Sequence, residues 1–575
     1  MSNVSLALGF SAALVLCQAT GEKQTHSTAE AEFANIRDAY VAKFRPLYIE
    51  SERASWEASI TGSDAAFARQ RAAQEALIDL HSDRATFAKL KTLKDGGAIT
   101  DPVSRRELDV MYRAFLPRQC DTELLKKIVA LETEAEQIFN THRSLVNGTR
   151  MTENEVRRIL AESSDNTLVE AAWKGYMAVG AEVENHLRRL VALRNQAARE
   201  LGFANYYSMR LTLQEIDEEE LFRLFDELDA LTREPFKALK AEIDAARAAR
   251  FGISSAQLRP WHFGDLFFQE TIGGGATALN ELYASRDPIE LARAYYTGMG
   301  IEVDDILAGS DLYEKPGKDP HAFSADIDRA GDIRVLCNMK PNLYWADTIL
   351  HELGHAVYDK YIGEDVPFVL HTQAHAMTTE GVAIMFGVMA KNKDWLSQAL
   401  KLSPDQATEA AMAAREATAV EKLVFSRWAQ VMTRFERGMY SDPNQDLGRL
   451  WWDLKKRYQL LNPPEDPSRP DYGAKTHIVS TPAYYHNYML GELFACQLHD
   501  HIARVVLGVT DPDKTSFFGR KEAGDYLRKE VFAPGNLYPW KELIRRATGE
   551  PLSAKAFARR CARDSERRTS PGSSG

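Results

Sequence analysis

The chain is 575 residues long, 45% hydrophobic and 27% charged, enough apolar material for a large buried core of ordinary globular kind. Its 71 basic and 82 acidic residues leave a net charge of −11 with no dense Lys/Arg run, which argues against a nucleic-acid partner. The five cysteines (Cys17, Cys120, Cys337, Cys496, Cys561) are scattered without a Cys-x-x-Cys pair, so they offer neither a disulfide framework nor a thiolate metal site and read as buried small hydrophobes.

In chain order, "MSNVSLALGFSAALVLCQATGEKQ" opens with an apolar run over 6–17 that is too short to span a bilayer and ends in small and polar residues. Residues 1–19 therefore read as a signal peptide cut near Ala19, although no Lys or Arg precedes the apolar run. This predicts export, with Cys17 as an alternative point of lipid attachment and a cytoplasmic location as the other reading. No later stretch is long and apolar enough to cross a membrane. From about 29 to 250 the apolar positions recur at three and four, as in "RQRAAQEALIDLHSDRATFAKLKTLK", which predicts nearly continuous helix. Breaks fall at "KDGGAITDP" (95–102) and at "NGTRMTENE" (147–155), where Thr152 offers a helix cap with Glu155 three residues on. Between 300 and 345 the chain turns rich in Gly, Asp and Pro, and "AFSADI" and "IRVLCNM" read as short strands. Helix resumes from about 345 to 460, stops at "LNPPEDPSRPDYG" and returns from about 482, leaving residues 563–575 as a frayed tail. The expected fold is mostly α with one small β-sheet, in a single domain over 29–560.

The chemistry starts at "TILHELGHAVYDKY" (348–361). On a helix, His351 and His355 lie one turn apart on one face and can reach one ion, while Glu352 projects beside them as a base. Two histidines under-coordinate a hydrolytic zinc, which takes a third protein ligand and keeps an open position. Glu380, in "AMTTEGVAIMFG", is the candidate third ligand, with Glu364, His371 and His375 as rivals in range. The cofactor reading is one zinc ion per chain.

Four ordered stretches resemble one family, the angiotensin-converting enzymes (peptidyl-dipeptidase A). They are HELGH with its downstream glutamate, "AKTHIVSTPAYYHNY" (474–488), "HAFSAD" (321–326) and "GDLFFQ" (264–269), and "LWWDLKKRYQ" (450–459) adds a further likeness. The resemblance implies a large two-lobed helical body with a long central cleft, a helical lid over 29–145, and the small sheet near the zinc site. It implies zinc on His351, His355 and Glu380, with Glu352 as general base and then acid, and His477 and Tyr488 stabilising the oxyanion. Gln269, Lys475 and Tyr485 would hold the free C-terminal carboxylate of a peptide, and His321 and Ala322 would bind it as an added strand. The activity so implied is release of C-terminal dipeptides from unstructured peptides.

This sequence departs from the family pattern at several points. One extra residue separates Lys475 from the Tyr-x-x-Tyr pair, so Tyr484 competes with Tyr485 for the carboxylate role. Asn487 stands where animal members carry a chloride-binding arginine, which predicts weak or absent chloride activation. Ile384 replaces an aspartate that orients a zinc histidine, leaving Asp347 and Asp359 as substitutes. Pro320 replaces a cysteine, so Cys337 is expected without a disulfide. Competing readings are a peptidase like thimet oligopeptidase or the zinc carboxypeptidases, which would release internal fragments or single residues, and a catalytically silent peptide-binding protein.

Overall fold

Chain entry is built by four helices, α1 (Gly9–Thr61), α2 (Asp64–His81), α3 (Arg84–Gly96) and α4 (Pro102–Phe115), in a computed structural model that describes residues 9–270 and 275–568. Side chains are described for 28–270 and 279–561, so the leader read over 1–19, Cys17 and the tail at 563–575 lie outside them. Each of α2, α3 and α4 starts where a short polar side chain satisfies otherwise orphaned amides: Ser63 accepts from Ala66 N–H, Asp83 from Ala85 and Asp101 from Ser104. These four helices have a small core of their own, in which Phe33, Leu90, Leu108 and Met111 meet Ile362, Val366 and Leu370 from far along the chain. Arg106 of α4 is buried across that junction; its Nε donates to the Asn536 carbonyl at 2.9 Å and it pairs with Glu215 at 2.5 Å.

The main core begins with α5 (Thr122–Thr141), which packs on the 35-residue α7 (Asn166–Glu200) although the lid region read over 29–145 takes it in. Between them lie β1 (Ser144–Val146), β2 (Thr149–Met151) and α6 (Glu153–Glu162). This hairpin is a second sheet where the sequence reading had only a break. Asn147 and Gly148 both take positive φ (50° and 84°), the two-residue turn whose twist matches the strands it joins. Thr152 and Glu155 form the reciprocal cap on α6 that their spacing predicts. The chain continues through α8 (Tyr206–Leu213), α9 (Glu218–Phe251), α10 (Gly275–Tyr283), α11 (Pro288–Gly298) and α12 (Asp304–Gly309).

The expected sheet follows. Strand β3 (Phe323–Asp326) pairs antiparallel with β4 (Ile333–Leu336), Phe323 opposite Leu336 and Asp326 opposite Ile333. It lies against α13 (Leu343–Lys360), the helix that carries HELGH, and α1 reaches it too, where Tyr48 donates to the Asp326 carbonyl at 2.8 Å. Helices α14 (Ala376–Gly387), α15 (Lys393–Gln398), α16 (Pro404–Ser441), α17 (Leu447–Leu454), α18 (His477–Ser480) and α19 (His486–His501) follow, and α20 (Lys521–Tyr526), α21 (Trp540–Thr548) and α22 (Lys555–Arg568) complete the core. The protein is thus mostly helical with two small two-stranded sheets among the described residues. No helix among them is long and apolar enough to cross a membrane.

Most residues of α13, α14 and α19, polar ones among them, are buried, so these helices are largely enclosed by others. They approach more closely than side chains would allow. A Cβ on Gly354 of α13 would lie 2.9 Å from Ala383 Cα of α14, and one on Gly491 of α19 would lie 3.1 Å from Glu380 Cβ. Gly354→Ala is therefore expected to lower the urea midpoint with unchanged slope, because overpacking costs about 1–3 kcal/mol and outweighs the ~1 kcal/mol gain in helix propensity. Gly96→Ala, whose Cβ would meet nothing within 4 Å, should shift the midpoint upward.

Candidate active site

Helix α13 projects His351 and His355 from one face, and α14 brings Glu380 to them. His355 Nε2 is 3.2 Å from His351 Nε2, and His351 Nε2 is 3.8 Å from a Glu380 oxygen. One donor atom from each of the three lies within 4.8 Å of the others, the only such group of three or more His, Cys, Asp or Glu among the described residues. Burial lowers the basicity of both imidazoles, His355 to about 3, and raises the Glu380 carboxyl. Glu352, 8% exposed, is pushed up to about 8 by burial and then by Glu380. Neutral imidazoles facing carboxylates that are costly to ionise form a donor set that a divalent cation would satisfy, and the residues fit a zinc site on that ground.

The rival ligands lie outside this group. Glu364 is exposed beyond the end of α13, and His375 caps α14, its Nδ1 accepting from Met377 N–H at 3.0 Å. His371 is not in the group. Of the substitutes for the missing aspartate, Asp347 pairs with Lys391 at 2.8 Å and Asp359 accepts from Gln373 Nε2. The side chain that meets a candidate ligand is instead Thr379, whose hydroxyl is 2.6 Å from His355 Nδ1. Sequence reasoning missed it, since a threonine inside a helix carries no such signal.

A second group forms around Lys475. Its ammonium donates to Gln269 Oε1 at 2.7 Å and stands 5.2, 5.4 and 5.6 Å from the rings of Phe267, Trp428 and Tyr485. Burial lowers its pKa to about 8, with Asp265 opposing that shift, and it has no ion pair among the described residues. Asp265 shapes this corner: its carboxylate accepts from the Phe267 and Gln269 amides at 3.0 and 2.9 Å. Lys455, also unforeseen, donates to the Phe267 carbonyl at 2.8 Å and is pushed down to about 7 by burial. It lies in a π-helical turn, Lys455–Gln459, that turns a residue from a charged run inward.

The two groups are joined by aromatic rings. Tyr485 is 5.2 Å from Tyr488 and 5.3 Å from His477, and Tyr488 feels the charge of Glu380. Burial, then Lys475, lowers His477 to about 4, and its Nδ1 has no hydrogen-bond partner. Tyr484 packs 5.4 Å from Tyr488 on the Glu380 side, whereas Tyr485 stands over Lys475. Ala483, at φ 55°, turns the chain just before this pair. Its amide donates to Glu436 at 2.8 Å, and Gln214 donates to its carbonyl at 3.0 Å.

Ala322 leads into β3 and His321 before it is exposed, its Nδ1 3.0 Å from Asp319. Extending the β3–β4 register puts Ala322 opposite Cys337, a free buried thiol that feels Glu352. Asn487 is buried and donates to Gln214 at 2.6 Å.

A helical body that gathers a His-Glu-x-x-His helix and a second glutamate helix around one point has the arrangement of the helical metallopeptidases. The family model described as angiotensin-converting enzyme matches residues 27–241 and 280–559, and the chain belongs to that family, whose members are zinc metallopeptidases. The angiotensin-converting enzyme-like protein Ace3 of Mus musculus is 24% identical over 526 residues, 84% of this chain and 70% of the relative. Angiotensin-converting enzyme of Oryctolagus cuniculus is 23% identical over 570 residues, and the match takes in 92% of this chain but only 42% of that protein. Thermostable carboxypeptidase 1 of Pyrococcus furiosus is 29% identical over 136 residues, 22% of this chain.

Glu436, beneath the loop that sets Tyr485 and Tyr488, is raised to about 8 by burial, so the folded state holds its proton more tightly than the unfolded chain does. The stability it contributes is full below about pH 4.5 and is lost as pH rises through about 8, a few kcal/mol at most. Glu436→Gln is expected to leave Tm unchanged at pH 5 and to raise it above wild type at pH 8.5.

Proposed function

We propose that this protein is a zinc-dependent peptidyl-dipeptidase that removes dipeptides from the free C-terminus of unstructured peptides. The observation that carries the reading is Lys475, a buried cation without an ion pair among the described residues, caged beside Gln269 and Tyr485 and linked through Tyr488 to Glu380. A buried lone charge is costly until it is paired, and a peptide carboxylate supplies the pair. The Tyr485 hydroxyl accepts from Trp428 Nε1 at 2.7 Å, which leaves its own proton for that carboxylate. The two-residue spacing from this anchor to the cut bond is carried from the family resemblance.

Zinc held by His351, His355 and Glu380 would supply Lewis-acid polarisation of the scissile carbonyl. Glu352 takes a proton from the attacking water and passes it to the leaving amide nitrogen as the C–N bond breaks. The Tyr488 hydroxyl and the N–H of neutral His477 donate to the oxyanion. His321 and Ala322 hold the peptide along β3, helices α1–α4 act as a lid that admits flexible chains, and the first 19 residues export the protein. The carboxypeptidase reading is favoured by the likeness to the Pyrococcus protein, and the first product separates the two.

Purified protein should contain about one zinc per chain and lose activity to a chelator. Glu352→Gln should retain the metal yet lose nearly all turnover, while Glu380→Ala should lose the metal; zinc lost from the former or held at full affinity by the latter would reject these assignments. Mass spectrometry of a peptide digest should find C-terminal dipeptides as first products. Amidation should slow cleavage at least ~10-fold, since a charge-assisted hydrogen bond contributes about 1.5–3 kcal/mol. Because Lys475 is charged below its pKa of about 8, KM for free-acid peptides should rise as pH climbs past that value. Equal cleavage of acid and amide at one bond, or single amino acids as first product, would overturn the dipeptidase reading.

A further inference from the structure

The metal group has an orienting side chain of a kind that its donor set does not announce. His355 can offer Nε2 as a lone-pair donor only if its proton sits on Nδ1, and that nitrogen faces the Thr379 hydroxyl at 2.6 Å. No other side chain hydrogen-bonds to His355 Nδ1 among the described residues. Asp347 and Asp359, the nearby helix carboxylates, are engaged with Lys391 and Gln373. Ile384, one turn beyond Glu380 on α14, packs toward Gly491 and supplies no polar group.

We propose that Thr379 is the positioning residue of His355: its hydroxyl oxygen accepts the Nδ1–H, fixes the tautomer and aims Nε2 at His351 and Glu380. The proposal rests on the reading of those three residues as zinc ligands. Thr379 and Glu380 are adjacent on α14, so a single helix carries one ligand and the support of another. A hydroxyl aligns the ring without placing a second negative charge behind it. Among the described residues no carboxylate backs His355 at Nδ1, although Asp347 and Glu492 act on His351. Zinc affinity then depends on alignment of His355 through one neutral hydrogen bond.

The test is zinc affinity of the full-length, metal-stripped protein, measured by competition with a chromophoric chelator. Thr379→Val is nearly isosteric and removes the acceptor; it should weaken zinc binding about 10–100-fold, the usual effect of losing such a partner. Thr379→Ser keeps the acceptor and should bind within about threefold of wild type. The cobalt-substituted protein should show a changed visible spectrum in Thr379→Val and an unchanged one in Thr379→Ser. Thr379→Ala serves in place of the valine variant if that chain does not fold. Wild-type affinity in the variants that lack the hydroxyl, or a loss in Thr379→Ser equal to theirs, would overturn the proposal. His355→Ala separates this from the ligand assignment: if it binds zinc as wild type does, the assignment fails, whereas loss there with unchanged Thr379→Val defeats the positioning role alone.

Discussion

The close backbone approach of α13, α14 and α19 is the constraint on which the rest of the site depends. Gly354 lets α14 come near enough to α13 for Glu380 to face two histidines, and Gly491 lets α19 lie against Glu380 itself. Because α19 also carries Tyr488, that oxyanion candidate and the metal donors are placed by one packing arrangement. Interiors at this density move as units, so a shift of a few tenths of an ångström at either glycine is felt at every donor atom. Burial of these helices also sets the protonation states, since it is the first cause of each shift at His351, Glu352, His355 and Glu380.

Electrostatically, the site has two unmet demands of opposite sign. Around His351 the buried Glu352 and half-buried Glu380 call for a cation; around Lys475 the buried ammonium calls for an anion. Under the proposed function both demands would be met together by a metal and a peptide carboxylate at the two ends, with the rings of Tyr485 and Tyr488, 5.2 Å apart, lying between them. Burial strengthens each interaction, which favours substrates that bring the matching charge over those that do not.

Much of this was legible in the sequence. Helical periodicity and caps such as Thr152 with Glu155 are local, and local signals survive in one dimension. The histidine spacing in HELGH is local as well. Glu380 followed from the need for a third ligand but could not be told from Glu364, His371 and His375 by spacing. Lys475, Gln269 and Tyr485 needed the ordered likeness to a family, because nothing near each of them on the chain points to the others. What escaped was decided by tertiary packing. Asn147-Gly148 was a readable hairpin turn, hidden between long helical segments. Lys455 and Thr379 look like ordinary helix residues, and only the π turn and the facing imidazole give them their places. The choice between Tyr484 and Tyr485 depends on Ala483, a residue type that gives no warning of a left-handed conformation.

The contact between Arg106 and Asn536 joins residues 430 positions apart. A ribosome adding about 5–20 residues per second leaves Arg106 without that partner for roughly 20–90 s. Until residues 362–370 are made, roughly 13–50 s after Arg106 at that rate, α1–α4 have only their own small core, and the apolar faces that later meet Ile362, Val366 and Leu370 stay open to water. The entry helices, made well before residue 536, are therefore among the last of the described elements to be locked in place. Truncation before residue 362 would leave those apolar faces uncovered, whereas truncation between 370 and 536 would remove the Arg106–Asn536 contact from this junction.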